Sequence, residues 1–119
     1  MKKIEKAELE YKGNKYEIVF NLNVMEQIQE QYGSVEAWGA LTEAATEPNA
    51  KAIKYGLGAM INEGIDIYNE DHRDNEDFKE RKPFTEKQIG RLITEIGLAN
   101  VANTINTTVV NSTKTDEKN

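Results

Sequence analysis

The only histidine of the chain, His72, lies in its most acidic stretch, residues 65–82, among carboxylates that include Asp66, Asp71 and Asp74. A calcium loop needs oxygen ligands at its first, third and fifth positions and then a glycine. No register of this stretch meets that requirement, because an aromatic or basic residue interrupts each one and no glycine follows. The stretch therefore predicts a solvated, charged loop without a metal site.

Nucleophilic catalysis is the other chemistry that a single histidine could support. The chain has no cysteine, which excludes thiolate catalysis, disulfides and cysteine-ligated zinc. Ser34 is placed to cap a helix, and Ser112 belongs to a polar tail. Most carboxylates fall on polar helix faces, where hydration leaves them chemically ordinary. We therefore expect no enzyme, no catalytic residue and no cofactor.

The composition limits the partners of the chain. Its 21 acids outnumber its 15 scattered lysines and arginines, which gives a net charge of −6 and no basic surface for nucleic acid. No segment approaches the roughly 20 apolar residues of a membrane span, and no apolar run of signal-peptide length follows the first lysines. We expect a cytoplasmic, acidic protein whose partners are other proteins.

The aromatic residues are the remaining candidates for a binding surface. Tyr55 lies off the apolar stripe of its predicted helix, so we predict that it is exposed as an interface anchor, although a single outward aromatic residue is also ordinary on a protein surface. Trp38, which shares a stripe with Leu41, is a second candidate, although that spacing also suits a core residue. Asp71 and Asp74 of the charged loop complete the predicted protein-binding set.

The apolar patterning predicts one mainly α domain over residues 1–110, with an N-terminal β-hairpin at about 7–22 and about five short helices packed as a small bundle. The first helix starts at an Asn23 cap, and the third runs from Ala50 to Gly64. Glycines inside the third helix predict a close helix crossing. The fourth helix has a capping box at Thr85, and residues 111–119 are expected to be a disordered tail.

The stretch from the second strand into the first helix resembles the opening of tail assembly chaperones of long-tailed, siphophage-type bacteriophages. Their pattern, Phe-x-Leu-Asn-x-Met-x-x-Ile-x-x-x-Tyr-Gly, is filled here by Phe20, Leu22, Asn23, Met25, Ile28, Tyr32 and Gly33. The order of later elements over residues 7–110 is also similar: a middle helix, a charged insert, a Thr-initiated helix and a short last helix.

The resemblance implies a non-catalytic role in the cytoplasm of a bacterial host. Such chaperones bind the long helical tape-measure protein of a phage or prophage, keep it soluble, recruit tail-tube subunits and leave the finished virion. The open edges of the hairpin would also allow self-association. Two alternatives remain open: a structural tail or head–tail connector subunit of the virion, or a small acidic inhibitor of a host protein.

Overall fold

The computed structural model describes residues 7–43 and 47–117, and of residues 113–117 only the backbone. In chain order its elements are β1 (Ala7–Tyr11), β2 (Asn14–Ile18), α1 (Leu22–Tyr32), α2 (Val35–Thr42), α3 (Ala50–His72), α4 (Glu86–Ile96) and α5 (Leu98–Glu117). The expected α+β fold, mainly helical with an N-terminal hairpin, is confirmed. Every element contributes side chains to one hydrophobic cluster.

The hairpin is shorter than its apolar alternation predicts. Strands β1 and β2 pair in antiparallel fashion from Tyr11 opposite Asn14 to Ala7 opposite Ile18. Lys12 and Gly13 form the turn, with φ angles of 52° and 83°, as in the mirror-image turns that suit the twist of a hairpin. Pairing ends at Ile18, so the predicted end of the hairpin at residue 22 is wrong.

Helix α1 is capped two residues earlier than predicted. The side chain of Asn21, rather than Asn23, accepts a hydrogen bond from the Val24 amide at 3.2 Å. Leu22 therefore lies in the first turn of the helix and is 74% exposed, although the strand pattern predicts that it is buried. The Asn21 side-chain amide also donates to Glu63 of α3, at 2.8 Å, which ties the start of α1 to that helix.

Helix α3 is the central element, and its 23 residues span about 34 Å. The expected close crossing is found at Gly56, where a Cβ atom would collide with the Trp38 ring of α2. Gly64 does not end the helix as predicted. It lies inside α3, where the absence of a side chain allows the backbone of β2 to pack against the helix at Glu17.

The charged stretch is therefore not a loop over 65–82, because α3 continues to His72. Ile65 is 2% exposed and holds that part of the helix in the core. The segment 73–85 that follows is attached to α3 by buried Asn69, whose amide donates to the Arg81 carbonyl and whose Oδ1 accepts from the Arg81 N–H, both at 3.0 Å. Charge density alone gave no sign of this reciprocal pairing.

A second asparagine attaches the same segment one turn before α4. Asn62 of α3 donates to the Phe84 carbonyl at 3.1 Å and accepts from the Phe84 N–H at 2.8 Å. Thr85 and Gln88 then form the predicted capping box. Since Asn62 and Asn69 are two turns apart on one face of α3, they hold the last part of the connection, from Arg81 to Phe84, against that helix.

Helix α5 is longer than expected and continues through Glu117, so residues 111–117 form helix where we expected a disordered tail. The Ser112 hydroxyl donates to the Phe20 carbonyl at 3.2 Å, which ties this part of the helix to the end of the hairpin. The last two positions of the predicted tail, 118 and 119, lie outside the described residues.

Candidate protein-binding groove

An open groove of about 430 Å³ lies between α1, α3 and the start of α4. We call it the Tyr55 groove. Its lining residues are Gln27, Lys54, Tyr55, Gly58, Ala59, Asn62, Glu63, Asp66, Phe84, Glu86 and Ile89. The groove follows the exposed side of α3, which is the side where Tyr55 is predicted to form an interface.

Small residues keep the groove open along α3. Gly58 and Ala59 follow Tyr55 by about one turn, and neither side chain extends beyond Cβ. A Cβ atom at Gly58 would meet the Ile89 side chain at 3.7 Å, an ordinary van der Waals contact. Half-buried Phe84 supplies apolar surface from the α4 side, whereas Ile89 lies beneath the groove and is only 1% exposed. A helix laid in this groove would meet apolar surface at Tyr55, Ala59 and Phe84, and polar or charged side chains elsewhere along the lining.

Tyr55 is half-buried and held in place, not freely exposed as predicted. Its hydroxyl donates to the Gln27 carbonyl of α1 at 3.1 Å. Its ring meets the Tyr32 ring edge to face, with the centroids 5.7 Å apart. Burial, together with the neighbouring Tyr55, raises the pKa of Tyr32 above its ordinary value. Tyr55 thus presents a preorganised ring surface at low entropic cost to binding.

The rim of the groove is acidic. Glu63, Asp66 and Glu86 line it with only one basic residue, Lys54. Glu63 is oriented by the side-chain amides of Asn21 and Asn23, which donate to its Oε2 at 2.8 and 3.1 Å. Such a rim favours a partner whose apolar stripe is flanked by lysine or arginine.

Trp38 does not lie on the surface. It is 1% exposed, and its indole N–H donates to the Ala52 carbonyl at 2.9 Å. The prediction that Trp38 contacts a partner therefore has to be corrected. Its ring fills the space above Gly56, where α2 crosses α3, so it serves the core.

Asp71 and Asp74 are exposed but do not adjoin the Tyr55 groove. Asp71 lies sixteen residues beyond Tyr55 on α3, which places it about 160° around the helix and about 24 Å along it. It lines a different groove of about 340 Å³, next to His72, Arg81 and β2. The predicted binding residues therefore do not form one surface.

His72 is held in place by contacts with Tyr68. Its Nδ1–H donates to the Tyr68 carbonyl at 2.9 Å, and its ring stacks on Tyr68 at 4.1 Å. The Arg81 guanidinium packs on Tyr68 at 4.1 Å and on Tyr16 at 5.1 Å. In the described part of the chain, no three histidine, aspartate or glutamate side chains converge to hold a metal ion.

The sequence did not lead us to a third groove, of about 320 Å³, between α2 and α5. Val35, Ala40 and Val109 line it, together with Val110, which is 51% exposed. Trp38 borders it from the core. The signal was available, because two adjacent valines in a helix cannot both face the core.

Comparisons with protein families, curated proteins and solved structures found no match to this chain. No helix in the described ranges is both long and apolar enough to cross a membrane.

Proposed function

We propose that this chain is a non-catalytic tail assembly chaperone of a long-tailed bacteriophage. It binds helical segments of the tape-measure protein in the host cytoplasm, keeps that protein soluble, and helps to recruit tail-tube subunits. It leaves before the virion is complete. The sequence pattern from Phe20 to Gly33 supports this proposal through its resemblance to that family.

The single observation that carries the binding part of the proposal is the Tyr55 groove. An amphipathic helix is recognised by a groove that accepts its apolar stripe and flanks it with complementary charge. Gly58 and Ala59 leave space for such a stripe, the Tyr55 ring forms a fixed wall, and the acidic rim matches basic flanking residues. A long helix with exposed apolar stripes aggregates alone, and covering those stripes would keep it in solution.

The test is co-expression of the chain with the tape-measure protein of its source phage, followed by measurement of the soluble tape-measure fraction. Ala59→Arg places a long cation in the groove and offsets the acidic rim. We expect it to weaken binding by about tenfold or more, which corresponds to about 1.4 kcal/mol. Ala99→Arg is the matched control, because Ala99 is exposed on α5 and lies in none of the grooves described above.

The proposal predicts that wild type and Ala99→Arg keep the tape-measure protein soluble and that Ala59→Arg does not. Equal solubilisation by all three would remove the Tyr55 groove from the proposal. No solubilisation by wild type, together with stoichiometric recovery of the chain in purified virions, would favour a structural tail or connector subunit instead.

A further inference from the structure

The two outer edges of the hairpin differ. The edge of β2 is covered: the Val19 N–H just beyond it donates to the Met60 carbonyl at 3.2 Å, and Arg81 donates to the Lys15 carbonyl, also at 3.2 Å. Between these contacts, the Glu17 carbonyl faces the bare Cα of Gly64. No further strand can pair on this side of the sheet.

The described residues place no such cover on the edge of β1. Tyr11 and Asn14 flank a two-residue turn and therefore form a hydrogen-bonded pair, as do Leu9 and Tyr16 two residues further along. The backbone N–H and C=O groups of Glu8 and Glu10 must then point away from β2. No described residue forms a hydrogen bond with them.

Side chains decide what can pair with this edge. Glu8 and Glu10 are exposed on one face of the sheet, whereas Leu9 between them is buried on the other. Two copies of β1 could pair in antiparallel fashion about a two-fold axis. In each register available within residues 7–11, Glu8 or Glu10 of one copy would then lie opposite Glu8 or Glu10 of the other. Like charges directly opposite destabilise a strand pair. The edge therefore disfavours a second copy of itself.

We infer that the β1 edge is a strand-addition site for a basic, extended segment of a partner protein. Lysine or arginine opposite Glu8 and Glu10 would lie on the acidic face. An apolar residue between them would lie beside Leu9, and main-chain hydrogen bonds would supply affinity. This site is separate from the Tyr55 groove and does not depend on what that groove binds.

The probe is an acetylated and amidated peptide, Lys-Val-Lys-Val-Lys, titrated into the ¹⁵N-labelled full chain. Glu-Val-Glu-Val-Glu serves as the charge-reversed control. We expect the lysine peptide to shift the amide resonances of Glu8 and Glu10 and to slow their hydrogen exchange at least tenfold. The glutamate peptide should do neither.

Two variants of Glu10 distinguish edge pairing from simple charge attraction. Glu10→Gln removes only the carboxylate, whereas Glu10→Pro also removes an outward N–H without touching the bonds to β2, and proline is tolerated at such edge positions. Glu10→Pro should bind the lysine peptide at least tenfold more weakly than Glu10→Gln does. The double variant Glu8→Lys/Glu10→Lys keeps every backbone group and should transfer the preference to the glutamate peptide, which tests the site even if Glu10→Pro does not fold.

The inference is overturned if the Glu8 and Glu10 amides are already protected from exchange in the free chain. It is equally overturned if the peptide shifts map to the Tyr55 groove instead, or if the double variant binds both peptides as the wild type does.

Discussion

The packing of β2 on α3 makes a specific prediction for Gly64→Ala. The new methyl group would collide with the Glu17 carbonyl, and a backbone oxygen cannot turn aside as a flexible side chain can. Strand β2 would have to move away from α3, which would also strain the bond from the Val19 amide to the Met60 carbonyl. The substitution should therefore lower the free energy of unfolding.

The magnitude follows from three opposing contributions. Overpacking of this kind costs about 1–3 kcal/mol, and a weakened hydrogen bond costs about 1 kcal/mol more. Alanine gains back about 1 kcal/mol over glycine in a helix. We expect a net loss of about 1–3 kcal/mol, or a fall in Tm of roughly 3–15 °C for a domain of this size.

Gly58→Ala is the matched control within the same helix. Its methyl group would meet Ile89 at an ordinary contact distance of 3.7 Å, so only the helix-propensity gain remains. This variant should be more stable than wild type by up to about 1 kcal/mol.

Urea unfolding, followed through the fluorescence of the single buried Trp38 and through circular dichroism, measures both variants. A Gly64→Ala protein as stable as Gly58→Ala would refute the proposed contact between α3 and the Glu17 backbone.

Three further predictions concern polar groups in or beside the core. Asn69→Ala removes both hydrogen bonds to the Arg81 backbone and should lower the free energy of unfolding by about 2–4 kcal/mol, as measured with urea. Hydrogen exchange in the 73–85 segment should become faster. Unchanged exchange would contradict the role of Asn69 in attaching that segment. Trp38→Phe removes the hydrogen bond to the Ala52 carbonyl and part of the packing on Gly56, so it should lower the free energy of unfolding by about 1–3 kcal/mol, measured in the same way. An unchanged free energy of unfolding would argue against a core role for Trp38. The raised pKa of Tyr32 means that this phenol ionises more readily in the unfolded chain, so stability should fall as pH rises above about 10. Tyr32→Phe should make the free energy of unfolding less dependent on pH in this range. An unchanged pH dependence in this variant would contradict the assignment to Tyr32.

Local signals in the sequence were enough to predict the class of the fold. The capping box at Thr85 and the Ser34 cap depend on neighbours within a few residues, and both are found as predicted. The predictions failed where a contact between residues that are distant in the sequence decides the structure. Gly64 looks like a helix end until β2 is placed against it.

The same difference between local signals and distant contacts explains how the predicted binding residues turned out. Tyr55 lies off the buried stripe of α3 and beside a groove, but its contacts with α1 leave it half-buried and not freely exposed. The spacing of Trp38 allowed both a core and a surface position, and only the crossing at Gly56 decides between them. Asp71 is separated from Tyr55 because α3 continues two turns past Gly64, a length that the charged sequence did not indicate.

The most direct test of the proposed function is an affinity pull-down from cells that produce the source phage. Tagged wild type, Ala59→Arg and Ala99→Arg would be compared by quantitative mass spectrometry. The proposal predicts that a very long helical protein co-purifies with wild type and Ala99→Arg and is depleted about tenfold or more with Ala59→Arg. Recovery of assembled tube or connector proteins alone, or of a single basic host protein whose binding is lost in high salt, would contradict the chaperone function.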